Sequence, residues 1–344
     1  MGHVGPCQVC NFGDGGVNMP KVIMTSLAVP LEAEAADILG SAGIEFEARN
    51  LTTEHELIAG ATDADALIVV AEPISSEVLR ALPRLQVVTR FGIGLDVVDI
   101  AAASAAGVWV SNVPDANYRE VAVHTIALAL NLSRRITTLD RAMHENGSAH
   151  LSLAFGTRRP DDQVFGLLGV GRIGRRVATM ARAIGFQVKA FDPALTEESA
   201  LEQGIDLVTF DELIATSDIL SLHVPLTSVT ANIIGEAEIA RMPRGSILVN
   251  VSRGGLVDET ALAAAIESGQ IAGAGLDAFV GDSGPLDATN RLRSLERVIL
   301  TPHSAHFSAE SFAETKMKAL HDVRSVLQGR PPTYAVNSPL AVNR

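Results

Sequence analysis

Three polar clusters at the ends of apolar runs carry residue types able to do chemistry on a small acid. NVSRGGLVDE follows SILVN and presents Arg253; LDAFVGD follows AGAG and presents Asp277 and Asp282; TPHSAH follows VIL and presents His303. The planar fork of arginine can hold a carboxylate and polarise a carbonyl. An imidazole exchanges a hydroxyl proton near neutral pH, and a carboxylate beside it raises its pKa and orients it. A cation, a carboxylate and an imidazole together suit redox chemistry on a 2-hydroxy acid. Each alone has a plainer reading, the arginine as a surface ion pair and the histidine as a turn residue. Their shared placement at strand ends is what points to a site.

The redox partner is legible in residues 164–192, VFGLLGVGRIGRRVATMARAIGFQVKAFD. An apolar run meets a turn with Gly169, Gly171 and Gly174, a helical pattern runs to Gly185, and a second apolar run ends on Asp192. In such a turn the first glycine permits the tight bend, the second lets backbone approach a pyrophosphate, and the third lets helix pack on strand. The unpaired amides at the helix start then face the phosphates. Asp192 stands 18 residues past Gly174, close to the ~20 expected of a carboxylate that binds ribose hydroxyls. Dinucleotide binding follows from the strand, helix, second strand and acid together; the glycines alone would be weak evidence.

The elements that must position these groups are short Val- and Ile-rich runs alternating with helical patterns, the signature of parallel βαβ units. KVIMTS, IEFEA, ALIVV, LQVVTR and VWVSN are the expected strands of a first unit. VFGLL, QVKAF, DLVTF, ILSLH, SILVN, AGAGLD and VIL are those of a second. A long helix is expected from Tyr118 to about Glu145, and ETALAAAIES is a helix with Asp258 as N-cap and Gly269 as its stop. At 344 residues the chain suits two domains, and a mean hydropathy of +0.24 indicates well-buried cores. We expect a tail over 1–20, a substrate domain from 21–118 and 312–344, and a dinucleotide-binding domain over 119–311. Ligands of such sheets bind at the carboxyl ends of strands.

Composition narrows the partners. A net charge of −13 argues against nucleic acid, and any anion must be held by local groups. No apolar run approaches the ~18 residues of a membrane span. No charged n-region precedes an apolar h-region, so a cytoplasmic location is the expectation. Cys7 and Cys10 form a CxxC without a second ligand pair, so no metal site is expected there or elsewhere.

RFGIGLDVVDI, EVAVHT, GLLGVGRIG, HVPLT, LVNVSRGGLVDE, GLDAF and TPH occur in this order between Lys21 and about Gln328. In this the chain resembles the D-isomer-specific 2-hydroxyacid dehydrogenases, which include phosphoglycerate and glyoxylate enzymes. The resemblance implies two doubly wound parallel α/β domains, a Rossmann NAD-binding domain inserted into a flavodoxin-like substrate domain. It implies that Gly92, Ile93 and Gly94 present backbone amides to a substrate carboxylate, that Arg253 binds substrate, and that His303 is the acid/base. Cofactor contacts are implied at Gly169, Val170, Gly171, Arg172, Ile173, Gly174, Asp192, Val224, Pro225, Thr230, Val251, Ser252, Arg253, Asp277 and His303. The implied activity is hydride transfer between NAD and C2 of a small 2-hydroxy or 2-keto acid, in a homodimer. Asp192 would repel a 2′-phosphate, which favours NAD over NADP, although Arg172, Arg175 and Arg176 stand nearby. The other function class is an NAD(H)-sensing binding protein like the corepressors that share this fold.

Three departures from the family pattern bear on the site. Where members commonly read LDVFxxEP, this chain reads LDAFVGDSGP, so Asp282 takes the glutamate position with one methylene less. The strand end ALIVVAEPISSEV has no arginine of the kind phosphoglycerate enzymes often carry, which favours an unphosphorylated acid; Arg90 and Arg119 remain nearby. His306 stands where a small or aromatic residue is usual, and capping of the following helix is its expected role over pocket lining. If Asp282 is the partner of His303, replacing it with Asn shifts the pH dependence of kcat/KM; an unchanged profile removes the assignment.

Overall fold

The computed structural model of the chain describes residues 19–281 and 286–339. By their own contacts they divide into two units. Residues up to 91, 97–112 and those from 317 onward form one, and residues 92–96 and 113–316 form the other. The divisions at 112/113 and 316/317 compare with 118/119 and 311/312 in the sequence reading.

In the first unit, strands β1 (Lys21–Met24), β2 (Glu45–Ala48), β3 (Ala66–Val69), β4 (Val87–Arg90) and β5 (Trp109–Ser111) pair in parallel in the order 2-1-3-4-5. Helices α1 (Glu32–Ile38), α2 (Glu54–Gly60), α3 (Ser76–Ala81) and α4 (Ile100–Ala105) connect them. Every residue of β3 is buried while edge strand β2 has none buried, as a parallel sheet covered by helices requires of its centre and tolerates at its rim. Thr53 and Glu56 start α2 with a reciprocal capping box. The strand order reverses between β1 and β3, which marks the switch point of this sheet.

The second unit carries β6 (Val164–Leu168), β7 (Gln187–Phe191), β8 (Asp206–Leu207), β9 (Ile219–Leu222), β10 (Ser246–Asn250), β11 (Ile271–Leu276) and β12 (Val298–Leu300). All pair in parallel, in the order 12-11-10-9-6-7-8. This is the dinucleotide-binding order extended by one strand, with its switch point between β6 and β9. Its helices are α5 (Tyr118–Arg134), α6 (Ile136–Asn146), α7 (Arg172–Ile184), α8 (Glu197–Glu202), α9 (Phe210–Thr216), α10 (Glu236–Arg241), α11 (Glu259–Glu267) and α12 (Ala309–Leu327), the last containing the 316/317 division. Helices α5 and α7 pack on one another and bury Val121, Leu128, Val177 and Ala181 with Phe165 and Phe186, whose rings meet edge-on at 5.5 Å. The fold is thus two doubly wound parallel sheets, as the sequence implied. Asp258 caps α11, accepting from the Ala261 amide at 3.0 Å.

The expected continuous helix from 118 to 145 is two helices. Arg135 sits in the left-handed region at φ 56°, and Asn131 Oδ1 accepts both the Thr137 amide and its hydroxyl at 3.0 and 2.9 Å. The side-chain amide replaces a helical carbonyl and re-aims the chain. No Gly or Pro marks the break, so the apolar period runs through it unbroken.

At the head of the second sheet, a Cβ on Gly174 would collide with the carbonyl oxygen of Gly169. Close approach of α7 to β6 depends on that glycine. Gly174→Val is expected to push α7 off the sheet, lowering the melting temperature by several degrees and abolishing NADH binding; thermal unfolding and NADH fluorescence titration check both.

Candidate active site

The turn after β6 is held from both sides. Gly169 has φ 96°, and a Cβ there would lie 2.8 Å from the His223 carbonyl oxygen. The Val170 amide donates to Asp192 Oδ2 at 2.7 Å, and the Ala194 amide donates to Asp192 Oδ1 at 2.8 Å. Asp192 therefore ties the ends of β6 and β7 together, and each of its oxygens retains a lone pair for a further donor. Gly171 is exposed at the N-cap of α7, with open space where a Cβ would stand and no side chain capping the helix. Arg175 folds back so that its Nε donates to the Val170 carbonyl at 3.1 Å; Arg172 and Arg176 are exposed. Ile173 is half-buried against the core.

His223, at the end of β9, lies beneath this turn. Its Nε2 lies 3.0 Å from the Ser221 hydroxyl, and its Nδ1 is buried without a partner. Burial pushes the imidazole down to about 3, so it is neutral at ordinary pH. Val224 and Pro225 continue from it, and Thr230 closes their loop by donating to the Pro225 carbonyl at 2.7 Å and accepting from the Thr227 amide at 2.8 Å. An open cradle at a helix start, a free carboxylate edge and an unpaired ring nitrogen fit a bound dinucleotide.

Arg253 leaves the end of β10 beside the glycine turn of residues 92–94. Its Nη2 and Nε both donate to Asp96 Oδ1, at 2.7 and 3.0 Å, and Nη1 donates to the Ser252 carbonyl at 2.7 Å. The guanidinium lies against Gly94 so closely that any Cβ there would displace it. Gly92, at φ 142°, is buried and Ile93 half-buried. Val251 is buried, and Ser252 Oγ donates to the Leu222 carbonyl at 2.8 Å, linking the ends of β10 and β9. Asn250 does the same toward β11, its Nδ2 donating to the carbonyls of Arg253 and Ala278 at 2.8 and 3.2 Å.

His303 stands in a turn pinned by Asp277. That carboxylate is 1% exposed and accepts from the Thr301 hydroxyl at 2.6 Å and from the Ser304 and Ala305 amides at 2.9 Å each. His303 itself adopts φ 52°, and its amide donates to the carbonyls of Asp277 and Thr301. Because the Thr301 hydroxyl donates to Asp277, its oxygen accepts from His124 Nε2 at 3.0 Å, which fixes the tautomer of His124. The His306 ring lies 6.2 Å from that of His303. The helix-capping role expected of His306 belongs to Ser308, whose hydroxyl accepts the Ser311 amide at 2.9 Å. Asp282 lies outside the described residues, as do Cys7 and Cys10.

Sequence reasoning missed Asp96, His124 and His223. The strings GIGLD, EVAVHT and HVPLT contain them, but nothing in their spacing says which loop each will meet.

Residues 126–305 match the model of the D-isomer specific 2-hydroxyacid dehydrogenase NAD binding domain. A D-3-phosphoglycerate dehydrogenase of Archaeoglobus fulgidus is 35% identical over 314 residues, 91% of this chain and 59% of that one. A glyoxylate reductase of Korarchaeum cryptofilum is 35% identical over 279 residues, 80% of this chain and 83% of that one. The chain belongs to the D-isomer specific 2-hydroxyacid dehydrogenase family. Among solved structures, this member of the family resembles a D-lactate dehydrogenase from Aquifex aeolicus complexed with NAD and lactic acid. The TM-score is 0.83 at 27% identity, over 93% of this chain and 100% of that one. The chain spans about six-tenths of the length of the curated phosphoglycerate dehydrogenase that it matches. Among the described residues, no helix is long and apolar enough to cross a membrane.

The depressed pKa of His223 links stability to pH. An unfolded histidine, near 6.5, takes up a proton as pH falls, whereas the folded imidazole stays neutral down to about 3. Stability from this group is complete above pH 6.5 and declines by about 1.4 kcal/mol per unit below it. Urea unfolding is expected to lose about 2 kcal/mol between pH 7 and pH 5 from this residue, and His223→Gln is expected to flatten that part of the curve.

Proposed function

We propose that the chain is an NAD-dependent D-2-hydroxyacid dehydrogenase that interconverts a small 2-keto acid and its 2-hydroxy acid. One observation carries the reading. The carboxyl ends of β6, β10, β11 and β12 in one sheet bear the glycine turn, Arg253, Asp277 and the turn of His303.

The turn from Gly169 to Gly174 and the start of α7 would hold the pyrophosphate, and Asp192 the ribose hydroxyls. Val224, Pro225, Thr230, Val251, Ser252, Asp277 and His303 would flank the rest. Bound NADH supplies the hydride that C2 of the keto acid accepts. Arg253, with the amides of Gly92, Ile93 and Gly94, holds the substrate carboxylate. Because Arg253 is already paired with Asp96, an entering carboxylate exchanges one anion for another instead of meeting a bare cation. The Arg253 charge also stabilises negative charge developing on the ketone oxygen. His303 gives that oxygen a proton during reduction and removes it during oxidation. Asp282 is the proposed carboxylate partner of His303.

NAD is favoured over NADP because the Asp192 carboxylate would face a 2′-phosphate while Arg175 is turned back to the Val170 carbonyl. Exposed Ile136, Met143, Leu151 and Phe155 support pairing of two copies through α6 and the turn after it. A sensor without turnover would have no use for an imidazole in a backbone conformation that costs of order 1–3 kcal/mol, which favours the enzyme.

The test is NADH oxidation with glyoxylate, pyruvate, hydroxypyruvate and longer 2-keto acids. Turnover is expected on at least one. Arg253→Gln is expected to lower kcat/KM about 100-fold or more, and His303→Gln to lower kcat by about 100- to 10,000-fold with NADH binding retained. Tight NADH binding with no turnover on any acid overturns the reading in favour of the sensor.

A further inference from the structure

Asp277 pins the turn of His303 from the end of β11, and a second element of the same unit reaches that turn from α5. Glu120 and His124 stand four residues apart on this helix and so project from one face. His124 Nε2 meets the Thr301 hydroxyl at 3.0 Å, and Glu120 Oε1 accepts the Ser308 hydroxyl at 2.9 Å. Thr301 and Ser308 bound the segment that carries His303. One helix face therefore grips the segment at both ends, and all of these residues lie within 113–316.

Packing alone does not call for these two side chains. The other oxygen of Glu120 is buried and meets no donor among the described residues. An unpaired carboxylate oxygen out of water costs stability, and a pair of shape-matched apolar side chains would avoid that cost. The contact of His124 is likewise specific. A hydroxyl has one proton, which rotates to suit its neighbours. By donating to the Thr301 oxygen, His124 leaves that proton aimed at Asp277 Oδ1, 2.6 Å away. Its own Nε2 lies 3.8 Å from the same carboxylate oxygen. Without this donor the hydroxyl can turn to water, and Asp277 loses the shortest of its three bonds. His303 keeps its left-handed backbone, at φ 52°, only while its surroundings over-determine it.

We propose that His124 and Glu120 are positioning residues for the acid/base, acting through Thr301 and Ser308 to hold the imidazole of His303 on its reacting line. The inference rests on the dehydrogenase reading and adds to it a helix face that touches no reacting atom. Misplacing a reacting group by about 1 Å costs about 100-fold in rate, so the effect belongs in kcat and not in ligand binding.

The experiment uses the full chain and whichever 2-keto acid it reduces best. His124→Leu keeps side-chain bulk and removes the donor. It is expected to lower kcat by about 10- to 100-fold, with NADH affinity and KM for the keto acid within about threefold. The solvent deuterium isotope effect on kcat is expected to rise as proton transfer slows. His124→Gln, whose amide nitrogen can donate from the place of Nε2, is expected to recover most of the lost kcat. Thr301→Val cuts the same chain one link further on, and carries the test if His124→Leu does not fold. Combined with His124→Leu it is expected to cost little more than either change alone. Glu120→Leu is expected to lower kcat in the same manner. Amide exchange at Ser304 and Ala305, the backbone donors to Asp277, gives a readout independent of turnover; it is expected to quicken about tenfold or more in His124→Leu and not in His124→Gln. A His124→Leu chain that keeps its kcat, whatever its melting temperature, overturns the inference and leaves the dehydrogenase reading standing. So does a His124→Gln chain as impaired as His124→Leu, or full additivity with Thr301→Val. If the unmodified chain binds NADH and reduces no 2-keto acid, the dehydrogenase reading falls; unchanged exchange at Ser304 and Ala305 removes the positioning role whether or not it does.

Discussion

The buried carboxylate of Asp277 is the constraint on which the reacting edge of the second unit depends. Parallel strands deliver their loops to one edge, but nothing in a sheet ladder fixes the loops themselves. Asp277 does so at the end of β11 by gathering the Thr301 hydroxyl and the amides of Ser304 and Ala305. An unpaired buried carboxylate would be strongly unfavourable, and three donors offset its desolvation. Hydrogen bonds to a charged group contribute of order 1.5–3 kcal/mol each. That exceeds the strain of the left-handed backbone at His303, of order 1–3 kcal/mol. The turn therefore holds, and the imidazole with it. Asn250 and Ser252 extend the same stitching to the ends of β10 and β9.

Both sheets manage anions with local groups inside an acidic chain. One uses the open start of α7, one uses Arg253 countered by Asp96, and the β3 turn answers its own amides with Glu72. These three solutions differ in where the countercharge comes from. The first leaves it to a ligand, the second lends it from a neighbouring loop, and the third builds it in. Since the molecule as a whole carries a net charge of −13, each countercharge acts locally.

The twelve strands among the described residues were legible, the central ones because parallel strands buried on both faces read as short, dense apolar runs, and the rim strands β2 and β8 from their alternation with helical patterns. The glycine turn was legible because each glycine answers a separate steric demand. The break at Arg135 was not, since the agent is a side chain of Asn131 reaching six residues ahead, and hydrophobic period does not record that. Arg253, Asp277 and His303 could be read as candidates from their places at strand ends. That Asp277 serves the turn of His303, and that Asp96 and His124 join these groups, depends on which loops the sheet order makes neighbours. Those pairings span 157 residues in the case of Asp96 and Arg253 and 177 in that of His124 and Thr301. Single-sequence spacing carries no information at such separations.

The discontinuous first unit has a consequence for how the chain is made. Its edge strand β5 is completed by Val336, whose amide donates to the Val110 carbonyl, and by Asn337, whose side chain accepts the Val110 amide from 227 residues further along. Asp322 holds this closing segment by accepting the amides of Thr333 and Tyr334. During synthesis at about 5–20 residues per second, β5 emerges roughly 10–45 s before the segment that covers it. For that interval the nascent chain exposes an unpaired strand edge, the surface most prone to pairing with another molecule. The first unit is closed only after the second has been made, and early aggregation on the ribosome is the hazard that this topology carries.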